Sequence, residues 1–400
     1  MSQNMKTSTT FIDVLRYPTT ALLITASFYC VKGYRESFLG SYSQTKWRLV
    51  MVCLSLLIAV IHLASLIRCC AFFVYIVPRF SDLSTFYIQS YLYIIKGTII
   101  YVFEAIMSRL YFGQIIDDLK VYGDQFGFSQ KLGMVKKYSL GLTLCVPLCL
   151  IAFISGMFVW ESKQQGDSFF SFPLQSSSNV TSFCLIAACD IVVYLPIVFY
   201  IGLHSTLIEI VIREFQETSA QMLEVVKQEE VIELEFTKLM SRHQSLCHIV
   251  SKLSKLTRLQ GSVSLFFSVL IIFFAMYSLG SEQLNMGHVL VQIITIVWAL
   301  LPILQVCFLW GRMPAAAHSI VESIRYLSTT GLSQTFLIQI QLFVSICSST
   351  KLGINVFGLF TIDSQTGVMI LGTIATYGIV VIQFQQEKSN DCHYNVSQIL

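Results

Sequence analysis

KLGINVFGLFTIDSQTGVMILGTIATYGIVVIQFQQ, residues 351–386, decides the fold. Within it, residues 367–384 form a run of 18 without a charge, close to the roughly 20 that a helix needs to cross about 30 Å of hydrocarbon. The side chains there that can hydrogen-bond are Thr373, Thr376, Tyr377 and Gln383. An amide left bare in lipid is costly. Gln383 therefore needs a neighbouring helix, a copy of itself in an oligomer, or water in a pore. Thr376 precedes it by seven residues, so both project from one helix face, two turns apart.

The rest of the chain has the same character. Of 400 residues, 54% are hydrophobic and 12% charged, and mean hydropathy is +0.68; a soluble domain carries about 25% charge. This is the composition of a multi-pass protein of the cell membrane. A net charge of +3 is too small to suggest nucleic acid as a partner. None of the 12 cysteines forms a CxxC pair, and Cys53, Cys145, Cys149, Cys184, Cys189 and Cys307 lie in or beside apolar runs, where thiols act as small hydrophobes. There is no GxSxG, HExxH, P-loop or paired-carboxylate motif. The chain is not read as an enzyme, and neither a metal nor a cofactor is expected. No cleavable signal peptide is evident, because polar residues and Pro18 precede the first apolar run.

Six further spans are read at 49–67, 86–108, 139–160, 183–203, 263–279 and 289–310, with 366–386 as the seventh. Residues 1–48 are a cytoplasmic N-terminus, polar and loose over 1–17, with a short interfacial helix over 19–31 that is too short to span. Residues 204–262 form helical extensions of spans four and five. Leu207, Ile210, Val211 and Phe215 recur there at helical spacing, with glutamates such as Glu214 on the other faces. This segment is either a solvated hairpin or an assembly surface. His243 and His248 within it read as ordinary surface histidines. Residues 311–365 are a second cytoplasmic helical segment, and 387–400 an external tail. Basic residues fix the orientation. Twenty-one lysines and arginines fall on the side of the N-terminus and four on the other, with Lys96 inside a span. The fold class is thus an all-α membrane protein with seven transmembrane helices, N-terminus cytoplasmic, C-terminus extracellular, and a cytoplasmic helical anchor. Sequons at Asn179 and Asn395 both fall outside, as glycosylation requires.

The intramembrane ionisable residues are Lys96, Glu104 and Asp190. Lys96 and Glu104 lie about 12 Å apart along one helix, too far to pair. The outer halves of the spans supply Tyr87, Tyr91, Trp160, Asp190, Tyr194, Tyr277, His288 and Gln292. Aromatics with a few polar groups suit a small organic ligand, although aromatics at span ends also form ordinary interfacial belts.

Thr376-Tyr377, five apolar residues, then Gln383-Phe384 resembles the signature that closes the last membrane helix of insect gustatory receptors, and the preceding Gly358–Asp363 resembles that family's approach to it. The specific likeness covers about 35 residues. It implies a tastant-gated, non-selective cation channel. The implied assembly is a homotetramer or heterotetramer in lipid, with the last helix around a central pore and a cytoplasmic anchor where subunits meet. Thr376, Tyr377, Gln383 and Phe384 would line or back the pore, with Gln383 near its constriction. Glu387, one turn further out, would form an anionic ring at the external mouth. Gly378 departs from the sugar-receptor subgroup, which carries an acidic residue after the tyrosine; that favours a bitter or general tastant over the fructose type. Odorant receptors share the architecture but typically lack the Gln-Phe ending. A G-protein-coupled receptor needs the opposite orientation. No inverted repeat with matched breaks supports a transporter.

Overall fold

The computed structural model describes residues 11–24, 44–75, 84–129, 131–162, 180–227, 233–280, 286–327, 332–350 and 352–397. In order these give α1 (Phe11–Ile24), α2 (Gln44–Tyr75), α3 (Ser84–Met107), a π-turn (Ser108–Phe112) leading into α4 (Gly113–Phe126), α5 (Leu132–Ser162), α6 (Val180–Val226) and α7 (Glu233–Leu279). Then come α8 (Met286–Leu304), a second π-turn (Gln305–Trp310), α9 (Arg312–Ile324), α10 (Gln334–Ser349), a hairpin of β1 (Asn355–Val356) with β2 (Phe360–Thr361), and α11 (Ser364–Ser397).

Helices α2, α3, α5, α6, α7, α8 and α11, with the π-turns that follow α3 and α8, contain the seven stretches read as spans. Among the described residues five helices are by themselves long and apolar enough to cross a membrane, and α2 carries a shorter apolar run, Cys53–Arg68. Leu56, Leu57, Val60, Leu63 and Ile67 of α2 are exposed. In water such a patch would be a liability; in lipid it is the natural outer surface. Ile58, His62 and Ser65 turn inward, with the His62 ring stacked on Tyr101 at 4.1 Å and bonded to the Ile58 carbonyl at 2.9 Å.

At 1.5 Å per residue the 47-residue helices α6 and α7 are each about 70 Å long, so each continues about 40 Å beyond the hydrocarbon. These continuations are not a solvated hairpin, and the structure corrects that reading. Met222 and Val226 of α6, Phe236 and Met240 of α7, Ile320 of α9, and Phe336, Ile340 and Phe343 of α10 form one buried cluster. Glu214 is fully buried. Its Oε2 accepts from Arg242 Nη2 at 2.7 Å and from Tyr122 Oη at 2.9 Å, while Oε1 accepts from the Ser129 amide at 2.9 Å. Arg242 also donates to Tyr122 Oη at 2.7 Å and to Gln221 Oε1 at 2.9 Å. Burial opposes the Arg242 charge, but Tyr122 and Glu214 outweigh it and hold the guanidinium protonated. Burial, and then the Glu214 charge, push the Tyr122 phenol up, so it stays a donor. Residue spacing shows which side chains share a face; it does not show that α4 arrives to cover this one.

His243 is also not a surface residue. Its ring is buried, with Nε2 bonding the Ala317 carbonyl at 2.8 Å between Phe215 and Phe343. His248 is exposed, 3.8 Å from Asp118. Burial lowers the His243 pKa below its usual value. Since the unfolded ring titrates near pH 6.5, the neutral ring's contribution to stability is present above that value. It is lost as pH falls from there through the folded pKa. Thermal melting of the solubilised protein should therefore drop between about pH 7.5 and pH 5.5, and His243→Gln should reduce the size of that drop.

The N-terminal helix starts at Phe11, within the stretch expected to be loose. Residues 11–17 are ordered helix, with Phe11, Val14 and Leu15 buried against α5 and α6; Ser139 Oγ donates to the Val14 carbonyl at 3.0 Å. The apolar positions at three-to-four spacing begin eight residues earlier than the longer apolar run suggested. Residues 25–31 of the expected interfacial helix lie outside the described residues.

Candidate functional site

Helix α11 starts where Asp363 caps it. Asp363 Oδ1 accepts from the Thr366 amide at 2.7 Å and from Thr366 Oγ1 at 2.6 Å, and these bonds hold its carboxyl below the usual range. An acidic cap on a helix N-terminus is favoured on both hydrogen-bond and dipole grounds. Gly311 makes this start possible. A Cβ there would lie 2.0 Å from the Cys307 carbonyl oxygen and 2.8 Å from the Asp363 carbonyl carbon.

From that cap, among the described residues, the helix touches the rest of the chain along one narrow edge. Gly367, Ile374 and Gly378 are buried, and Leu371 is partly so. At Gly367 a Cβ would lie 2.7 Å from Cys307 Cβ, so α11 is seated directly on the second π-turn. Tyr377 is half exposed and stacks on Phe273 of α7 at 5.0 Å. Met369, Thr373, Thr376, Val380 and Gln383 are all exposed and follow the spacing of a single stripe. At 3.6 residues per turn, Thr376 lies about 200° around the helix from Ile374, so the polar stripe faces away from the chain's own body. Phe384 is exposed next to it. Thr373 and Thr376 return their hydroxyls to the Met369 and Gly372 carbonyls at 2.9 Å each. The Glu387 side chain lies outside the described residues, and Asn395 falls in the last turns of the same helix.

A separate cavity of about 80 Å³ lies between α3, α6 and α8. Tyr93, Lys96, Tyr194, Trp298, Pro302 and Gln305 are among its walls. Tyr93 meets Tyr194 edge-on at 6.4 Å, and Lys96 Nζ donates to Ser268 Oγ at 2.9 Å. Of the eight ligand positions expected from sequence, Tyr194 is one of its walls. Tyr91 points to Cys70, Gln292 is buried away from the cavity, and Tyr277 is half exposed on α7. The side chains of Tyr87, Trp160, Asp190 and His288, and the whole of Asn179, lie outside the described residues. Trp298 and Gln305 carry no such sequence signal, because the cavity reaches inward past the outer halves of the spans. Lys96 was legible as an intramembrane charge; its direction was not.

Below the cavity the walls become polar. Gln305 opens the π-turn and bonds Ser205 Oγ and the Ile201 carbonyl; Trp310 Nε1 donates to the same Ser205 Oγ at 3.1 Å. His204 bonds the Gln260 amide and stands 3.5 Å from the buried Glu104 carboxylate. A π-turn adds a residue to the local helical repeat and is frequent at functional sites. Here it re-aims Trp310 over Gly261, where a Cβ would lie 3.2 Å from the ring. The only sequence signal was Pro302, one turn upstream.

Comparison with known proteins places this geometry. The model of a family described as 7tm Chemosensory receptor matches residues 20–388. A search of curated proteins by sequence finds no match. Among solved structures, the insect olfactory receptor OR5 from Machilis hrabei in complex with eugenol superposes with a TM-score of 0.70 at 13% identity, over 94% of this chain and 99% of that one. The structure of the same receptor described without eugenol gives the same values. At that identity the likeness establishes the fold. The helical fold is that of this neighbour, and the family match runs from within α1 into α11. The chain belongs to the 7tm chemosensory receptor family.

Proposed function

We propose that this receptor is a ligand-gated, non-selective cation channel in which several copies of α11 surround one pore, and that its ligand is a tastant of the bitter or general class. The observation that carries the channel reading is the stripe of Thr373, Thr376 and Gln383 on the exposed side of α11, opposite the edge seated on its own subunit. Left facing lipid, that amide would lack a partner. A ring of copies gives it water and the other amides, as in a pore lined by polar side chains. Tyr377, stacked on Phe273, backs the ring. A further apolar stripe supports assembly: Ile338, Leu342 and Ile346 of the cytoplasmic helix α10 are exposed. We assign these to subunit contacts in a homotetramer or heterotetramer.

The cavity between α3, α6 and α8 is the proposed ligand site, with Tyr93, Lys96, Tyr194 and Trp298 as its recognising groups. Its volume of about 80 Å³ is well below the roughly 300–1,000 Å³ of sites that hold drug-sized ligands. A ligand must widen it. Binding is then stronger in the wider state, and that difference is what shifts the equilibrium. Gln305 is both a cavity wall and the first residue of the π-turn, and Cys307 of that turn supports α11 at Gly367. Displacement of α8 therefore reaches the pore helix through one short contact path. Na⁺ and K⁺ then flow inward.

The taste reading rests on the Thr376-Tyr377 and Gln383-Phe384 ending; the olfactory neighbour keeps an odorant ligand as the second reading. Cells expressing this chain alone, recorded without GTP in the pipette, should give a prompt, reversible cation current to a member of a panel of alkaloids, sugars and eugenol. A current that appears only when GTP is supplied, or flux without unitary steps, contradicts the channel reading. The class of the active compound decides between taste and odour.

A further inference from the structure

A second cleft, of about 340 Å³, opens between α3 with its π-turn and the middle of α7. Its walls divide by chemistry. Phe103, Met107, Tyr111 and Phe357 are apolar; Lys255 and Arg258 are basic. Both cations are exposed, one turn apart on α7, and both reach the same opening. Lys255 Nζ lies 6.0 Å from the centre of the Tyr111 ring. Lys252, one turn earlier, is paired with Asp118 at 2.7 Å. Among the described residues Lys255 and Arg258 have no carboxylate partner. Two unpaired cations beside an apolar wall are complementary to a group that is anionic at one end and oily at the other.

The position of the cleft narrows the choice. On the orientation fixed by the basic residues, Lys255 and Arg258 lie just before the cytoplasmic end of the fifth span, and Phe103 and Met107 at the cytoplasmic end of the second. The cleft therefore sits at headgroup level of the inner leaflet, whose surface is negative and draws basic residues. We propose that it binds the phosphate headgroup of an anionic phospholipid of the inner leaflet, with the acyl chains against Phe103, Met107 and the neighbouring exposed face of α3.

The site touches the segment that leads into α11. Ser262 Oγ, also in the cleft, accepts from the Phe357 amide at 3.0 Å. Phe357 holds a positive φ of 48°, and Gly358 follows at 84°. Arg258 lies over that turn, its Nη2 2.8 Å from where a Gly358 Cβ would be. A headgroup drawn to Arg258 therefore bears on the hairpin immediately before the Asp363 cap. This inference goes beyond the channel reading and does not require it, since its test is a binding measurement.

The test uses the purified full-length chain in detergent and dioctanoyl phosphatidylinositol bisphosphate as probe, with binding followed by native mass spectrometry. Saturable binding is expected, weakened about tenfold or more in the double variant Lys255→Gln/Arg258→Gln, because each removed cation loses its attraction to the headgroup. The charge-keeping pair Lys255→Arg/Arg258→Lys should retain binding. So should Lys137→Gln/Lys238→Gln, which removes the same charge from exposed cytoplasmic positions elsewhere. Dioctanoyl phosphatidylcholine should not compete, and inositol trisphosphate, which lacks the tails, should compete more weakly than the lipid. Equal binding by the wild type and the Lys255→Gln/Arg258→Gln variant overturns the site. Equal competition by inositol trisphosphate overturns the lipid in favour of a soluble phosphate.

Discussion

Glu214→Ala should lower the stability of this receptor by about 3–5 kcal/mol, the cost of leaving a buried charge without its partner. Glu214 is fully buried, and its carboxylate takes Arg242, Tyr122 and the Ser129 amide at once. Removal of the carboxylate strands an Arg242 guanidinium of which little is exposed. Arg242→Ala should be equally severe, since it strands the acid. The double variant Glu214→Leu/Arg242→Met should be milder than either single one, because an apolar pair of similar volume carries no desolvation cost. Thermal melting of the solubilised protein measures all three. Single variants that melt with the wild type, or a double variant that is the worst of the three, would show that this network does not tie α4, α6 and α7 together.

Gly311→Ala should abolish ligand-evoked current and reduce stability by about 1–3 kcal/mol or more, the range for forcing atoms into a filled space. The backbone angle at Gly311 is ordinary, so the constraint is purely one of space. The new methyl would stand 2.0 Å from the Cys307 carbonyl oxygen and 2.8 Å from Asp363. Neither neighbour is a flexible side-chain tip that can move aside. One carries the π-turn and the other starts α11, so relief of the clash separates the two parts through which the cavity is proposed to reach the pore. Gly141→Ala on α5, where a Cβ meets nothing within 4 Å, is the matched control and should behave as wild type. Normal currents from Gly311→Ala would remove the π-turn from the path.

These two sites also mark the limits of the sequence. An 18-residue uncharged run and a lopsided distribution of lysine and arginine are decided by local physics, hydrocarbon thickness and the cost of moving charge, so the spans and orientation could be read directly. The polar stripe of α11 was legible for the same reason, because helical spacing alone puts Thr376 and Gln383 on one face. Glu214 and His243 were misplaced because their burial depends on which distant helix arrives. Tyr122 is 92 residues from Glu214, and Ala317 is 74 from His243. Of the eight expected ligand positions, one lines the cavity. Tyr194 was named, whereas Trp298 and Gln305 lie deeper, where no belt-like excess of aromatics marks them.

The central claim is that α11 lines a pore with its exposed stripe. Cysteine substitution along this helix, with a charged thiol reagent applied during ligand-evoked current, tests it most directly. The account predicts block at Thr376, Val380 and Gln383 and none at Ile374, which faces the chain's own body. Block that ignores this spacing, or no block at Gln383, would contradict it.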